Sequence, residues 1–154
     1  MSPGRETAVV ALIVWAATVA AVDWRQRRVP NTLLLAALLP AGVALIWFGV
    51  GILGVSPVSS FLGALAAGLI LLPGYLWFGL GAGDVKLAAV LGFLVGWGGL
   101  CWLMLLAALV LGLMSTLVLV GLGPVRASTV RLPAAVALGG GFFLVLLFTS
   151  MGNR

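Results

Sequence analysis

Six long apolar stretches, divided by short segments that hold almost all of the charge, leave this chain few ways to fold. Only 7% of its residues are charged, against 64% hydrophobic. A soluble domain carries about 25% charged residues, because something must face water. This chain cannot cover itself with polar surface, so its solvent is lipid. The apolar runs are continuous rather than alternating, which argues against a lipid-facing barrel. The expected fold is all-α: a polytopic transmembrane helical bundle of about six spans, forming a single domain over residues 1–154.

The stretches cover about residues 7–22, 32–50, 60–80, 85–97, 100–122 and 133–150. Crossing about 30 Å of hydrocarbon takes roughly 20 apolar residues. The first and fourth stretches fall short of that, so their polar ends are expected just inside the membrane boundary. Those ends carry Asp23 and Asp84. If the six crossings alternate, the connectors after the first, third and fifth share a side. They hold Arg25, Arg27, Arg28, Lys86, Arg126 and Arg131, whereas the far side has only Arg5 and Arg154. The positive-inside bias makes the richer side cytoplasmic. Both termini are then outside, and the protein is a multi-pass resident of the cytoplasmic (inner) membrane. Trp24 and Trp77 fall near the cytoplasmic boundary and Trp47, Trp97 and Trp102 near the outer one, with Trp15 the mid-span exception.

Other features bear on packing and on what the chain does not do. Pro73-Gly74 is expected to kink the third span, and Gly92 and Gly96 form a GxxxG pair that admits a close neighbour. The net charge of +5 comes from basic residues scattered singly between apolar runs, which suits orientation in a membrane rather than nucleic acid. Histidine is absent, and Cys101 stands alone in an apolar run. No disulfide, zinc motif or metal site is expected, and Cys101 is expected to be a small buried hydrophobe. The first apolar run lacks a persuasive small-residue cleavage site and is expected to be a retained helix.

Two of the three acids stand out against this background. Glu6 sits in the polar N-terminal tail beside Arg5, but Asp23 and Asp84 adjoin apolar helices. Ionisable groups in such places are expensive and are functional candidates. Each also has a purely structural explanation. Asp23 can anchor a helix end within a basic connector, and Asp84, following Gly81-Ala82-Gly83, has the setting of a helix N-cap. Topology nevertheless puts both on one face at similar depth. Two carboxylates within hydrogen-bonding distance do not both ionise easily. One keeps a proton while the other acts as base, so the pair can activate a water and protonate a carbonyl oxygen. That is aspartic-protease chemistry. The alternative is a small proton-coupled transporter or channel subunit that uses the aspartates as a proton relay. The outer half of the spans offers no ionisable residue to continue such a path. An inert scaffold would tolerate loss of both aspartates.

The local sequences carry a resemblance. Asp23-Trp24-Arg25-Gln26-Arg27-Arg28-Val29-Pro30-Asn31 resembles the first catalytic signature of the type IV prepilin peptidases. Gly81-Ala82-Gly83-Asp84-Val85-Lys86 is similar to their GxGDxK motif, and the segment from Arg131 through Pro133 to Gly139 is similar to the start of their last helix. The resemblance implies that Asp23 and Asp84 are the catalytic pair. It implies a membrane-embedded aspartic endopeptidase removing the short leader from prepilin or pseudopilin precursors at the cytoplasmic boundary, with no cofactor. Gly81 and Gly83 would let the backbone turn and approach an extended substrate. Pro30 and Asn31 would start the second helix, with Asn31 as its cap. Lys86 would hold the aspartate loop, contact a substrate carboxylate or fix topology, and Arg25, Arg27 and Arg28 would serve topology and anionic lipid contact. The paired cysteines of the family's methyltransferase insertion have no counterpart, so the chain is similar to the short, peptidase-only form of tight-adherence (Flp) pilus systems.

Overall fold

The computed structural model describes residues 3–26, 29–77, 79–127 and 134–151. They form five helices, α1 (Pro3–Gln26), α2 (Asn31–Phe48), α3 (Pro57–Trp77), α4 (Ala82–Ala127) and α5 (Ala134–Met151). There is no strand among the described residues. Hydrocarbon offers the backbone no hydrogen-bond partner, so an apolar run must satisfy its own amides and carbonyls as helix. Four segments are long and apolar enough to cross a membrane: Glu6–Gln26 of α1, α2, α3, and Ala82–Gly121 of α4. The apolar part of α5, Ala134–Thr149, is shorter. The chain is an all-α, multi-pass membrane protein.

The helix count differs from expectation. The fourth and fifth stretches are joined into α4, a run of 46 residues. Nothing between them forces a loop, because the residues there are Gly98 and Gly99, with no proline or polar side chain. The discontinuity is conformational. Gly96 adopts φ 68°, in the left-handed region. The Trp97 amide just beyond it donates instead to Ser59 Oγ of α3, at 3.0 Å. A straight helix of this length would extend about 69 Å at about 1.5 Å per residue, more than twice the hydrocarbon thickness.

The two limbs of α4 have different partners. Before Gly96, α4 packs on α3 in antiparallel order: Gly92 meets Gly63 and Ala89 meets Gly68. A β-carbon at Gly63 would collide with the Gly92 carbonyl and lie 2.7 Å from the Gly96 carbonyl carbon. The close approach expected at Gly92 and Gly96 is therefore made by α3. After Gly96, α4 packs on α5, with Ala107 against Gly141 and Val110 against Gly140. Helix α5 in turn meets α1, where Gly139 faces Ala16 and Ala20 and Phe142 meets Trp15 edge-on at 6.4 Å. The core of Val19, Leu87, Leu91, Leu103, Phe142 and Leu146 lies within this arrangement.

Helix α3 includes Pro73 and runs on to Trp77. One smaller expectation comes out differently. Cys101 is exposed rather than buried. It shares a side of α4 with exposed Trp102 and Leu105, and in lipid a small apolar residue loses nothing by facing outward.

The α3–α4 seam makes a direct prediction. Gly63→Ala should force the helices apart, at an overpacking cost of about 1–3 kcal/mol. Gly98→Ala, whose β-carbon meets nothing within 4 Å, should change stability by no more than about 0.5 kcal/mol. Thermal unfolding of both variants in detergent measures this. Equal melting temperatures would contradict the seam.

Candidate active site

Asp23 continues the buried stripe of α1. Leu12, Ala16 and Val19 are buried, and their spacing of three and four residues repeats to reach Asp23 on the same helix face. The aspartate is 5% exposed. Helix α1 runs past it to Gln26, so the carboxylate sits on the last turn facing the bundle and not in the connector. Asp84 occupies the first turn of α4. Leu87, Ala88 and Leu91, three, four and seven residues on, are fully buried, so Asp84 opens the inward face of that helix. An N-terminal turn favours a negative charge, because its free amides point outward.

The turn before α4 is shaped around this carboxylate. The Asp84 amide donates to the Gly81 carbonyl at 3.0 Å. Asp84 Oδ2 lies 3.1 Å from where a β-carbon at Gly81 would stand, so a side chain at residue 81 would press on the carboxylate. Gly83 has a different neighbour. A β-carbon there would lie 3.2 Å from Val29 Cβ and 3.5 Å from the Val29 amide nitrogen. The left-handed residue of this turn is Gly79, at φ 69°. Gly81 and Gly83 thus stand in close approach to Asp84 and Val29, and the conformational freedom of the turn is used at Gly79.

The structure brings the sequence-expected residues together at one end of the bundle. The Asp23 charge acts on Asp84, so the two carboxylates are electrostatic neighbours although they are distant in sequence. Pro30 precedes α2 in extended conformation, φ −69° and ψ 137°, with no side-chain capping bond. Asn31 is therefore the first residue of α2 and not its cap. Its Oδ1 instead accepts a hydrogen bond from Lys86 Nζ at 3.2 Å. Trp15, the mid-span exception, donates its indole N–H to the Leu33 carbonyl at 2.7 Å, which ties α1 to the start of α2. Sequence reasoning missed this pairing and the contact of Val29 with Gly83. A tryptophan in mid-span was the one signal, since its N–H needs a partner. Arg27, Arg28, Arg131 and Pro133 lie outside the described residues, as does the side chain of Arg126.

The aspartates do not border the apolar cavity found among the described residues. An apolar cavity of about 510 Å³ is bordered by Val9, Val55, Val95, Trp102 and Phe148. Val9 precedes Asp23 by 14 residues of α1, which is about 21 Å along a helix. The aspartates stand instead at a helix-end cluster beside exposed Trp24, Arg25 and Lys86. Among the described residues, no group of three or more His, Cys, Asp or Glu comes together. What the cluster does hold is a carboxylate pair, one member buried and the other half-exposed.

Comparison with known proteins identifies the family. The family model for the type IV leader peptidase family matches residues 10–117, a segment that contains both aspartates and the connectors around them. No curated protein matches the chain, and no solved structure does. The match covers more than half of the sequence, and the chain belongs to the type IV leader peptidase family.

Proposed function

We infer that the chain is an aspartic endopeptidase that removes the leader from type IV prepilin-like precursors, with Asp23 and Asp84 as its catalytic pair. The observation that supports this reading is that the two carboxylates, on separate helices, stand at one end of the bundle, near enough for the charge of Asp23 to bear on Asp84. In the mechanism, the ionised carboxylate takes a proton from a water as its oxygen attacks the scissile carbonyl carbon. The protonated carboxyl gives its proton to the carbonyl oxygen. Collapse of the tetrahedral intermediate breaks the C–N bond; the leaving amine receives the proton that the base had taken, and a hydroxyl of the intermediate returns a proton to the other carboxylate. The substrate's hydrophobic helix arrives through the membrane, and its scissile segment unwinds beside the pair.

The membrane arrangement forms part of the proposal. Gly96 is taken as the point where the chain turns back, so that α4 supplies two crossings and the total is six. The antiparallel packing of the two limbs, on α3 and on α5, supports this. The end bearing Asp23 and Asp84 is then cytoplasmic and both termini are outside, in the inner membrane. Arg25 and Lys86 at that end fit the positive-inside bias. Exposed Trp24 and Trp77 at one end, and Trp47, Trp97 and Trp102 at the other, fit interfacial belts. Connectors of four to six residues between α1 and α2, α3 and α4, and α4 and α5 support cleavage without an inserted methyltransferase domain. A proton relay is less well supported. The stripes leading away from the pair are Val19, Ala16 and Leu12 on α1 and Leu87 and Leu91 on α4, which offer no path for protons.

Two experiments test the reading. Asp23→Asn and Asp84→Asn should each lower leader removal by at least about 100-fold, with insertion and melting temperature retained. Glu6→Gln, at the far end of α1, should process like wild type. A co-expressed precursor scored on a gel measures this, and wild-type processing by either Asn variant would remove that aspartate from the pair. For orientation, Gln26→Cys and Val50→Cys in a Cys101→Ala background should respond oppositely to an impermeant thiol reagent outside intact cells. Val50→Cys should label and Gln26→Cys should not; the reverse pattern would invert the topology.

A further inference from the structure

We propose that Lys86 and Asn31 form a positioning pair that sets the separation of the two aspartates. The inference rests on the reading of Asp23 and Asp84 as the catalytic residues, and it concerns what holds them in register. The acids stand on α1 and on the first limb of α4. Helix α5 touches both helices, but it meets α4 at Ala107 and Val110, beyond Gly96. At the catalytic end, the helix in contact with both is α2.

The start of α2 works as a bracket between them. On one side, the Trp15 indole holds the Leu33 carbonyl at 2.7 Å and fixes α2 to α1. On the other side, Lys86 Nζ donates to Asn31 Oδ1 at 3.2 Å, across 55 residues of sequence. Val29 bears on Gly83 immediately beside this bond. Inside the bracket, Leu33 is locked to the Pro30 carbonyl by a 3.1 Å backbone bond. Any slackening of the Lys86–Asn31 link lets the first turn of α4, and Asp84 with it, move relative to α1 and Asp23.

The direction of Lys86 excludes a simpler role. It follows Asp84 by two residues, which turns its side chain about 200° around the helix from the carboxylate. The ammonium points across to α2 and not into the pair. Both Lys86 and Asn31 are exposed, so breaking their bond strands no buried polar group and the variants are expected to fold. The cost falls on geometry, and small misplacements of catalytic groups are expensive in rate.

The test measures leader removal, folding and distance in the same set of proteins. Lys86→Met and Asn31→Leu should each lower kcat about tenfold, with KM and melting temperature unchanged. The double variant should be no slower than either single one, because both changes break the same bond. Asn31→Asp keeps the acceptor and should stay within about threefold of wild type. Spin labels at Gln26→Cys and Ala82→Cys, in a Cys101→Ala background, should show a broadened distance distribution in Asn31→Leu. Full activity in Asn31→Leu alongside loss in Lys86→Met would mean that Lys86 acts on the substrate directly, and would overturn the proposal. So would multiplicative losses in the double variant, or an unchanged distance distribution. The distance measurement needs no activity. If Asp23→Asn or Asp84→Asn proved active, the catalytic reading would fail while the bracket itself was still judged by the labels.

Discussion

Hydrocarbon cannot solvate an ionised carboxylate, and in a chain with so few polar residues that cost decides where chemistry can take place. Asp23 and Asp84 both lie on inward helix faces, yet each sits within one turn of a helix end. Buried apolar residues follow them into the bundle, while exposed Arg25, Asn31 and Lys86 surround them toward the boundary. The proposed hydrolysis calls for such a boundary: one carboxylate has to hold a proton against its neighbour, and a water has to reach the pair.

Holding two such groups together requires a rigid frame, and the frame is built from small residues. Helices in lipid gain nothing from hiding one apolar surface against another, so they associate where their backbones can touch. Gly63 and Gly92 provide that contact between α3 and α4, and Gly139 and Gly141 let α5 approach α1 and the second limb of α4. Gly96 plays a separate part. Its backbone adopts a left-handed conformation inside α4, and Ser59 accepts from the amide of the next residue. The positions of the aspartates thus depend on contacts made well away from them.

Much of this was legible in the sequence, for reasons tied to particular residues. The apolar runs announce helices because lipid permits little else, and Asp23 and Asp84 stand out because so few charges surround them. What sequence could not give was pairing and facing. Lys86 was readable as a latch, a substrate contact or a topology marker until Asn31 appeared as its partner, 55 residues away. The loop expected at Gly98-Gly99 is replaced by helix, and the left-handed backbone falls at Gly96 instead. The burial of Cys101 was misread because hydrophobicity does not separate inside from outside when the solvent is lipid.

On the proposed mechanism, Asp23 and Asp84 work as one unit that holds a single proton between them. The pH profile of leader removal by the purified protein in detergent, with folding followed in parallel, tests this. A shared proton gives a bell-shaped curve whose two limbs belong to the pair rather than to either residue. Activity falls in acid, where both carboxylates are protonated, and again in base, where neither is. An activity that keeps rising into strongly alkaline solution, with the protein still folded, would contradict the shared proton.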